Sequence, residues 1–344
     1  MKKKSNIFKN LIFFILLIVL TFYIMLKDQD LPAIFRIIKN AKLEFVFIGI
    51  VCMFLYLMCE AINMGRTLKA LGEKSSFAKN LKYSLIGFFF SSITPAASGG
   101  QPMQVYYMYK DKVSVANSTL ALLINLTSMQ IITINFALLS LCFNYQYLNK
   151  ILIIFFVIGI SLNIGALILL IIGVFSKRLS RGLINFTIKI LKIFKVRNIE
   201  AKKEKLENEL QKYHASAVYI KNNKRLIVRT LLTTLIQFTL YYSITYWTYR
   251  SLGLAKYSII EIITMQSVLF ATVSGIPSPG AVGVTEGAFM EIFRNVFPQA
   301  IINSAVLLNR GINFYLFVTI SGIVVIVNHL KTREITVNEE ELKG

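Results

Sequence analysis

Residues 274–286 read SGIPSPGAVGVTE, between the apolar runs IITMQSVLFATV and GAFMEIF. The stretch brings two prolines, three glycines and a glutamate into a region that otherwise reads as membrane-buried. Proline removes a backbone donor and glycine loosens a helix. Backbone groups in hydrocarbon must be hydrogen-bonded, so such a break is tolerated only where protein or water satisfies it. The stretch therefore predicts a broken helix that lines a cavity; a plain loop between two tilted helices is the competing reading. A broken helix also frees an N-terminus carrying roughly +0.5 charge, suited to an anion such as phosphate.

The surrounding composition supports the membrane reading. Of 344 residues, 55% are hydrophobic and 16% charged, which is more apolar and less charged than a soluble chain of this length. Six segments approach or exceed the roughly 20 residues that a bilayer core needs, at 7–26, 43–62, 116–143, 151–175, 226–248 and 302–328. Two further regions, 83–109 and 259–297, consist of arms too short to cross, broken by TPAASGGQP and by the opening stretch. These read as re-entrant hairpins. The N-terminal MKKKSNIFKN and its apolar run resemble a leader, but no small-residue cleavage site follows, so a retained helix is expected.

The net charge of +21 sets the expected orientation through the excess of Lys and Arg in cytoplasmic loops. Both termini fall inside, with the loop carrying Arg66, Lys69, Lys74, Lys79 and Lys82, with Lys110 and Lys112, and with the segment 176–225, which holds fourteen basic residues against four glutamates. The loop 27–42, with Lys27, Arg36, Lys39 and Lys42, is the exception. The basic residues lie beside apolar spans, which suits anionic lipid headgroups and argues against nucleic acid.

This threading yields an all-α polytopic protein with about six full crossings and two re-entrant hairpins arranged as an inverted repeat. Its parts are an N-terminal helix and outer loop (1–42), a first membrane repeat (43–175), a basic amphipathic inner loop (176–225), a second repeat (226–330) and a tail (331–344). The two breaks share the spacing P-x-x-x-G, Pro95 to Gly99 and Pro279 to Gly283, and Asn125 and Asn309 take corresponding places. Paired interruptions in matching halves point to a transport site near the midplane. Within the inner loop, SKRLSRGLINFTIKILKIFKV reads as an interfacial helix. Leu206, Leu210, Tyr213, Ala217 and Ile220 mark a helix that packs on protein.

Catalytic chemistry finds little support. The three cysteines lack metal or redox spacing, the two histidines are isolated, and there are three aspartates. No catalytic residue, metal ligand or cofactor site is expected. Charged groups at membrane depth each cost a few kcal/mol and so need a partner or a task. That singles out Glu286 and Arg310, then Glu60 and Arg66; Glu261 and Arg229 read as interfacial. The breaks themselves are Pro95, Gly99, Gly100 and Pro102 in the first hairpin, and Pro277, Pro279, Gly280 and Gly283 in the second.

The motif P-x-x-x-G-G-x-P at 95–102 with its following aromatic run, the motif PSPGAVGVTE at 277–286, and Arg66 and Arg310 resemble the lysylphosphatidylglycerol synthase transmembrane family. That flippase-like family includes the membrane part of the bacterial multiple-peptide-resistance protein. The resemblance runs from about Leu43 to Leu330. It implies a bacterial plasma-membrane protein that moves an anionic or aminoacylated phospholipid, such as lysyl-phosphatidylglycerol, between leaflets. Its headgroup-binding candidates are then Glu286, Arg310, Arg66, Glu60, Gln101 and Gln104, with Arg310 expected to hold phosphate and Glu286 a cationic lysyl amine. Gln101 and Gln104 stand where the family often carries Glu and Arg, and ALLINLTSMQ lacks a frequent arginine, which implies a different lipid. The 14 residues after Leu330 leave no room for a synthase domain. The other readings are a phosphatidylglycerol lysyltransferase, a secondary transporter of a small solute, and a membrane partner of a separate synthase or of a second copy.

Overall fold

The computed structural model describes residues 31–144, 150–176, 199–274, 276 and 279–341, with Leu16, Tyr23 and Gly182 besides. Most of the expected first crossing at 7–26, most of the interfacial stretch after 176, and Pro277 thus lie outside the described residues. Every regular element among the described residues is helical. In chain order these are α1 (Leu31–Lys39), α2 (Leu43–Ala70), α3 (Phe77–Ser92), α4 (Gly100–Lys110), α5 (Val115–Asn144), α6 (Lys150–Phe175), α7 (Ile199–Asn222), α8 (Lys224–Ser251), α9 (Ile259–Val273), α10 (Val284–Ile292), α11 (Ile302–Arg310) and α12 (Leu316–Glu341). Single 3₁₀ turns at Pro95–Ala97 and Pro279–Ala281 lie between α3 and α4 and between α9 and α10, and a π turn, Gly311–Tyr315, joins α11 to α12.

Four helical runs among the described residues are long and apolar enough to cross a membrane: Leu43–Ala70, Val115–Ser140, Ile153–Phe175 and Ile302–Asn328. Helix α8 matches them in length with 28 residues, but its buried face carries Thr230, Thr234, Gln237, Thr245 and Thr248. Thr234 and Thr245 on that face hydrogen-bond Asn63 and Gln266, so a purely apolar run is not required of it. By contrast α9 is 15 residues and α3 is 16, about 22–24 Å of helix against a hydrocarbon core of about 30 Å.

Helices α2 and α8 form the central antiparallel pair. Lys42 N–H donates to Ser251 O at 2.9 Å at one end, and Asn63 Nδ2 donates to Thr234 Oγ1 at 2.9 Å towards the other. The first hairpin is based at the C-terminal end of α2. There Lys82 of α3 pairs with Asp111, just past α4, at 2.6 Å, and Tyr83 O–H donates to the same oxygen. The second hairpin is based at the opposite end of the pair, after α8, where Tyr257 O–H donates to Asn295 O at 3.0 Å. The tips meet: a Cβ on Gly280 would lie 3.2 Å from Ser92 O.

The expected amphipathic helix is α7, and it does pack on protein. Tyr213, Ala217 and Ile220 are buried against Ala116, Leu120 and Val174. Tyr213 O–H donates to Gly173 O at 2.8 Å. Glu209 accepts from Ala116 N–H at 3.0 Å and Ser114 O–H at 3.1 Å, so a carboxylate meets the positive first turn of α5.

The base of the first hairpin gives a pH test. Burial alone would raise the Asp111 carboxyl, but hydrogen bonds from Lys82 and Tyr83 with the charge of Lys82 and Lys79 hold it below its ordinary value. A depressed folded value stabilises the protein above the unfolded one, and that contribution is lost as pH falls through the folded value. Asp111→Asn is therefore expected to lower stability by about 1 kcal/mol at neutral pH. The gap from the parent should close below about pH 4, as read by thermal unfolding across a pH series.

Candidate functional site

The site is built where the second break meets α11. Gly283 caps α10 with φ +85°. Three residues on, Glu286 reaches back so that its Oε2 accepts from Gly283 N–H at 2.7 Å, one half of a capping box. Its Oε1 accepts from Arg310 Nε at 2.8 Å and from Tyr315 O–H at 3.3 Å. Arg310 also donates from Nη2 to Gly280 O at 3.1 Å. Its guanidinium lies 4.0 Å from the centre of the Phe314 ring. The wide π turn directly after Arg310 carries both aromatic partners, Phe314 and Tyr315.

The two charges are almost wholly withdrawn from solvent, with side chains 2% exposed for Glu286 and 6% for Arg310. A buried pair holds only when further hydrogen bonds meet its remaining atoms, and here a backbone N–H, a carbonyl and a phenol supply them. Arg310 and Glu286 thus clasp the break to α11. Asn163 of α6 adds a third tie, donating to Ala271 O at 3.3 Å and Ser274 Oγ at 3.0 Å. Gly283 N–H and Gly280 O at this tip are thus met by side chains.

The first tip is built locally instead. Thr94 Oγ1 accepts from Gly99 N–H at 2.9 Å and donates to Phe90 O at 2.6 Å. Pro95, Ala96 and Ala97 are exposed, whereas Pro279 is buried. Even so, the two tips share a backbone: Ala96 and Ala97 have φ +51° and +54°, and Gly280 and Ala281, at the matching places, +58° and +50°.

The remaining candidates gather on α2. The apolar run suggested an end near residue 62, but the helix continues to Ala70, with Asn63, Met64, Gly65, Thr67 and Leu68 buried. Its later polar residues are met by threonines of α8, which apolar counting does not register. Arg66 donates to Asn63 Oδ1 at 2.8 Å and to Thr233 Oγ1 at 2.9 Å. It has no carboxylate partner among the described residues. Glu60 accepts from Gln104 Nε2 at 3.0 Å, and the same amide donates to Tyr83 O at 3.1 Å. Gln101 is partly buried in the first turn of α4, where Gly99 is partly buried, Gly100 buried and Pro102 exposed.

The two groups are linked by aromatic residues that sequence reading did not single out. The Tyr56 and Tyr241 rings are 5.0 Å apart; Tyr56 lies within electrostatic reach of Glu60, and Tyr241 within reach of Arg310. Asn63, Thr233, Phe314 and Tyr315 were missed as well. The signal available for Asn63 was its place one turn before Arg66 on the same helical face. Glu261 completes a capping box with Ser258, accepting from Ser258 N–H at 2.8 Å, so its place is explained by the start of α9.

A family model for the lysylphosphatidylglycerol synthase transmembrane region matches residues 7–322. A UPF0104 membrane protein of Pyrococcus horikoshii is 26% identical over 304 residues, covering 85% of this chain and 90% of that one.

Proposed function

The chain belongs to the lysylphosphatidylglycerol synthase transmembrane family, a family of membrane proteins, and from that premise we propose that it moves an anionic or aminoacylated phospholipid between leaflets. The two hairpins act as the halves of an inverted repeat, each opening the junction to its own side of a bacterial plasma membrane. The observation that carries this reading is the meeting of two broken tips, based at opposite ends of α2 and α8, beside a buried charge pair.

Arg66 is the phosphate ligand in this reading. Neutral partners on Asn63 and Thr233 fix its guanidinium and use two of its donors, leaving donors that suit a phosphate. Glu286 and Arg310 use their charges on each other, so their task is to hold the second tip in shape. The lipid is phosphatidylglycerol or its lysyl ester, with the phosphate common to both.

The test is leaflet-resolved transfer in proteoliposomes. Fluorescent phosphatidylglycerol, lysyl-phosphatidylglycerol and phosphatidylcholine are followed by chemical quenching of the outer leaflet. The protein should accelerate at least one of the first two over protein-free vesicles. Arg66→Ala should slow it roughly tenfold or more, from the loss of charge-assisted hydrogen bonds. No acceleration of any lipid, with uptake of a radiolabelled small solute instead, would overturn the reading in favour of a solute transporter.

A further inference from the structure

Glu60 stands apart from the other charged groups at this depth. It lies ten residues before the end of α2, about 15 Å along the axis, and is itself partly exposed beside the fully buried Ala61 and Met64. It has no cationic partner among the described residues; it accepts a hydrogen bond from the Gln104 amide at 3.0 Å. A membrane-depth carboxylate without a counter-charge requires a cation or a proton.

Its surroundings carry a second sign. Gln237 is fully buried, and both atoms of its amide lack a hydrogen-bond partner. On α8 it lies between Thr234, which Asn63 bonds, and Tyr241, which packs on Tyr56. Glu60 lies between Asn63 and Tyr56 on α2, so the two residues share one level of the interface. Ser84 Oγ and Thr230 Oγ1, on neighbouring helices, are also buried and unpartnered. Buried polar groups left open in this way are usually met by water or ligand.

From this juxtaposition we propose that Glu60 is a proton-binding site that couples the movement of lipid to a proton gradient. A metal cation fits less well, because hard cations collect oxygen ligands, while the group that faces Glu60 here is an N–H donor whose neighbouring carbonyl, Tyr83 O, is already engaged. The step is proton binding alone: the carboxylate takes up one H⁺ from one side, becomes neutral, and returns it to the other. Tyr56 and Tyr241 offer hydroxyl groups on the way towards the Glu286–Arg310 clasp.

The titratable and charged groups around Glu60 leave it the natural acceptor. On α2 they are Tyr56, Cys59 and Arg66, the last held by Asn63 and Thr233. On α3 they are Tyr83 and Lys82, both bonded to Asp111, and on α4 Tyr107. Helix α8 contributes Tyr241, Tyr242 and Arg229, which is exposed. Arg310 and Tyr315 are engaged by Glu286, and α5 carries no Asp, Glu, Lys or Arg.

This proposal rests on the translocation reading, and its test separates the two. Infrared difference spectra of the purified protein across a pH series should show a protonated-carboxyl band that disappears in Glu60→Gln and moves in Glu60→Asp. Glutamine keeps the shape and the contact to Gln104, so the fold is retained. In proteoliposomes carrying fluorescent phosphatidylglycerol and lysyl-phosphatidylglycerol, a pH gradient should accelerate transfer by the parent, and that acceleration should be lost in Glu60→Gln. An unchanged infrared band in Glu60→Gln overturns the proton site, and an equal response to the gradient in both proteins overturns the coupling. If the parent moves neither lipid, the translocation reading and the coupling fail together, and the infrared series alone decides whether Glu60 binds the proton.

Discussion

Arg310→Ala is expected to destabilise the protein by about 3–5 kcal/mol, the range for removing one partner of a buried ion pair. The cause is the residue left behind. Glu286 is 2% exposed and would be left with a backbone N–H and a phenol as its remaining partners. The Gly280 carbonyl and the face of Phe314 would lose their cation in the same step. The check is thermal or denaturant unfolding in lipid nanodiscs. The double variant Glu286→Gln with Arg310→Met should recover most of the loss, because a neutral buried pair carries no uncompensated charge. If lipid transfer stays absent in that stable double variant, the clasp sets the shape of the tip as well as its stability. An Arg310→Ala protein as stable as the parent would remove the clasp from the account.

Gly280→Ala should be the second severe change. The glycine has φ +58°, where an L side chain is strained, and lack of space adds to that cost. An added Cβ would fall 2.3 Å from Phe314 Cζ and 2.9 Å from its Cε2. Phe314 cannot yield freely, since Arg310 covers its ring and Phe88 meets its edge at 6.3 Å. Overpacking of this kind costs about 1–3 kcal/mol, and relief requires the second tip to move away from Phe314. The expected result is a moderate drop in melting temperature with a near-complete loss of lipid transfer. The control lies at the matching place in the first tip, where Ala96 is exposed at φ +51°. Ala96→Gly there should change transfer little. Equal behaviour of the two tip variants would count against a working junction at Gly280.

The parts of this architecture that rest on local chemistry were legible from the residues. Two P-x-x-x-G breaks between short apolar arms announced the interruptions between α3 and α4 and between α9 and α10, and the apolar spacing from Leu206 to Ile220 announced a packed α7. What could not be read depends on helix partners. The end of α2 lies at Ala70 because α8 offers Thr230, Thr233 and Thr234 to Asn63 and Arg66. Hydrophobic counting saw only an apolar run giving way to polar residues. In the same way Glu286 and Arg310, 24 residues apart, meet only because the second tip folds back onto α11. The π turn that carries Phe314 and Tyr315 beside them has no sequence rule of its own.

The contact between Ser92 and Gly280 has an electrical corollary. If, as proposed, water follows each hairpin inwards from its own side, the transmembrane voltage would fall mainly across the two tips. An elementary charge crossing there gains or loses about 2.3 kcal/mol per 100 mV over a few ångströms, instead of the roughly 30 Å of the hydrocarbon slab. A small rocking of one tip against the other would then suffice to carry an anionic headgroup through most of the field.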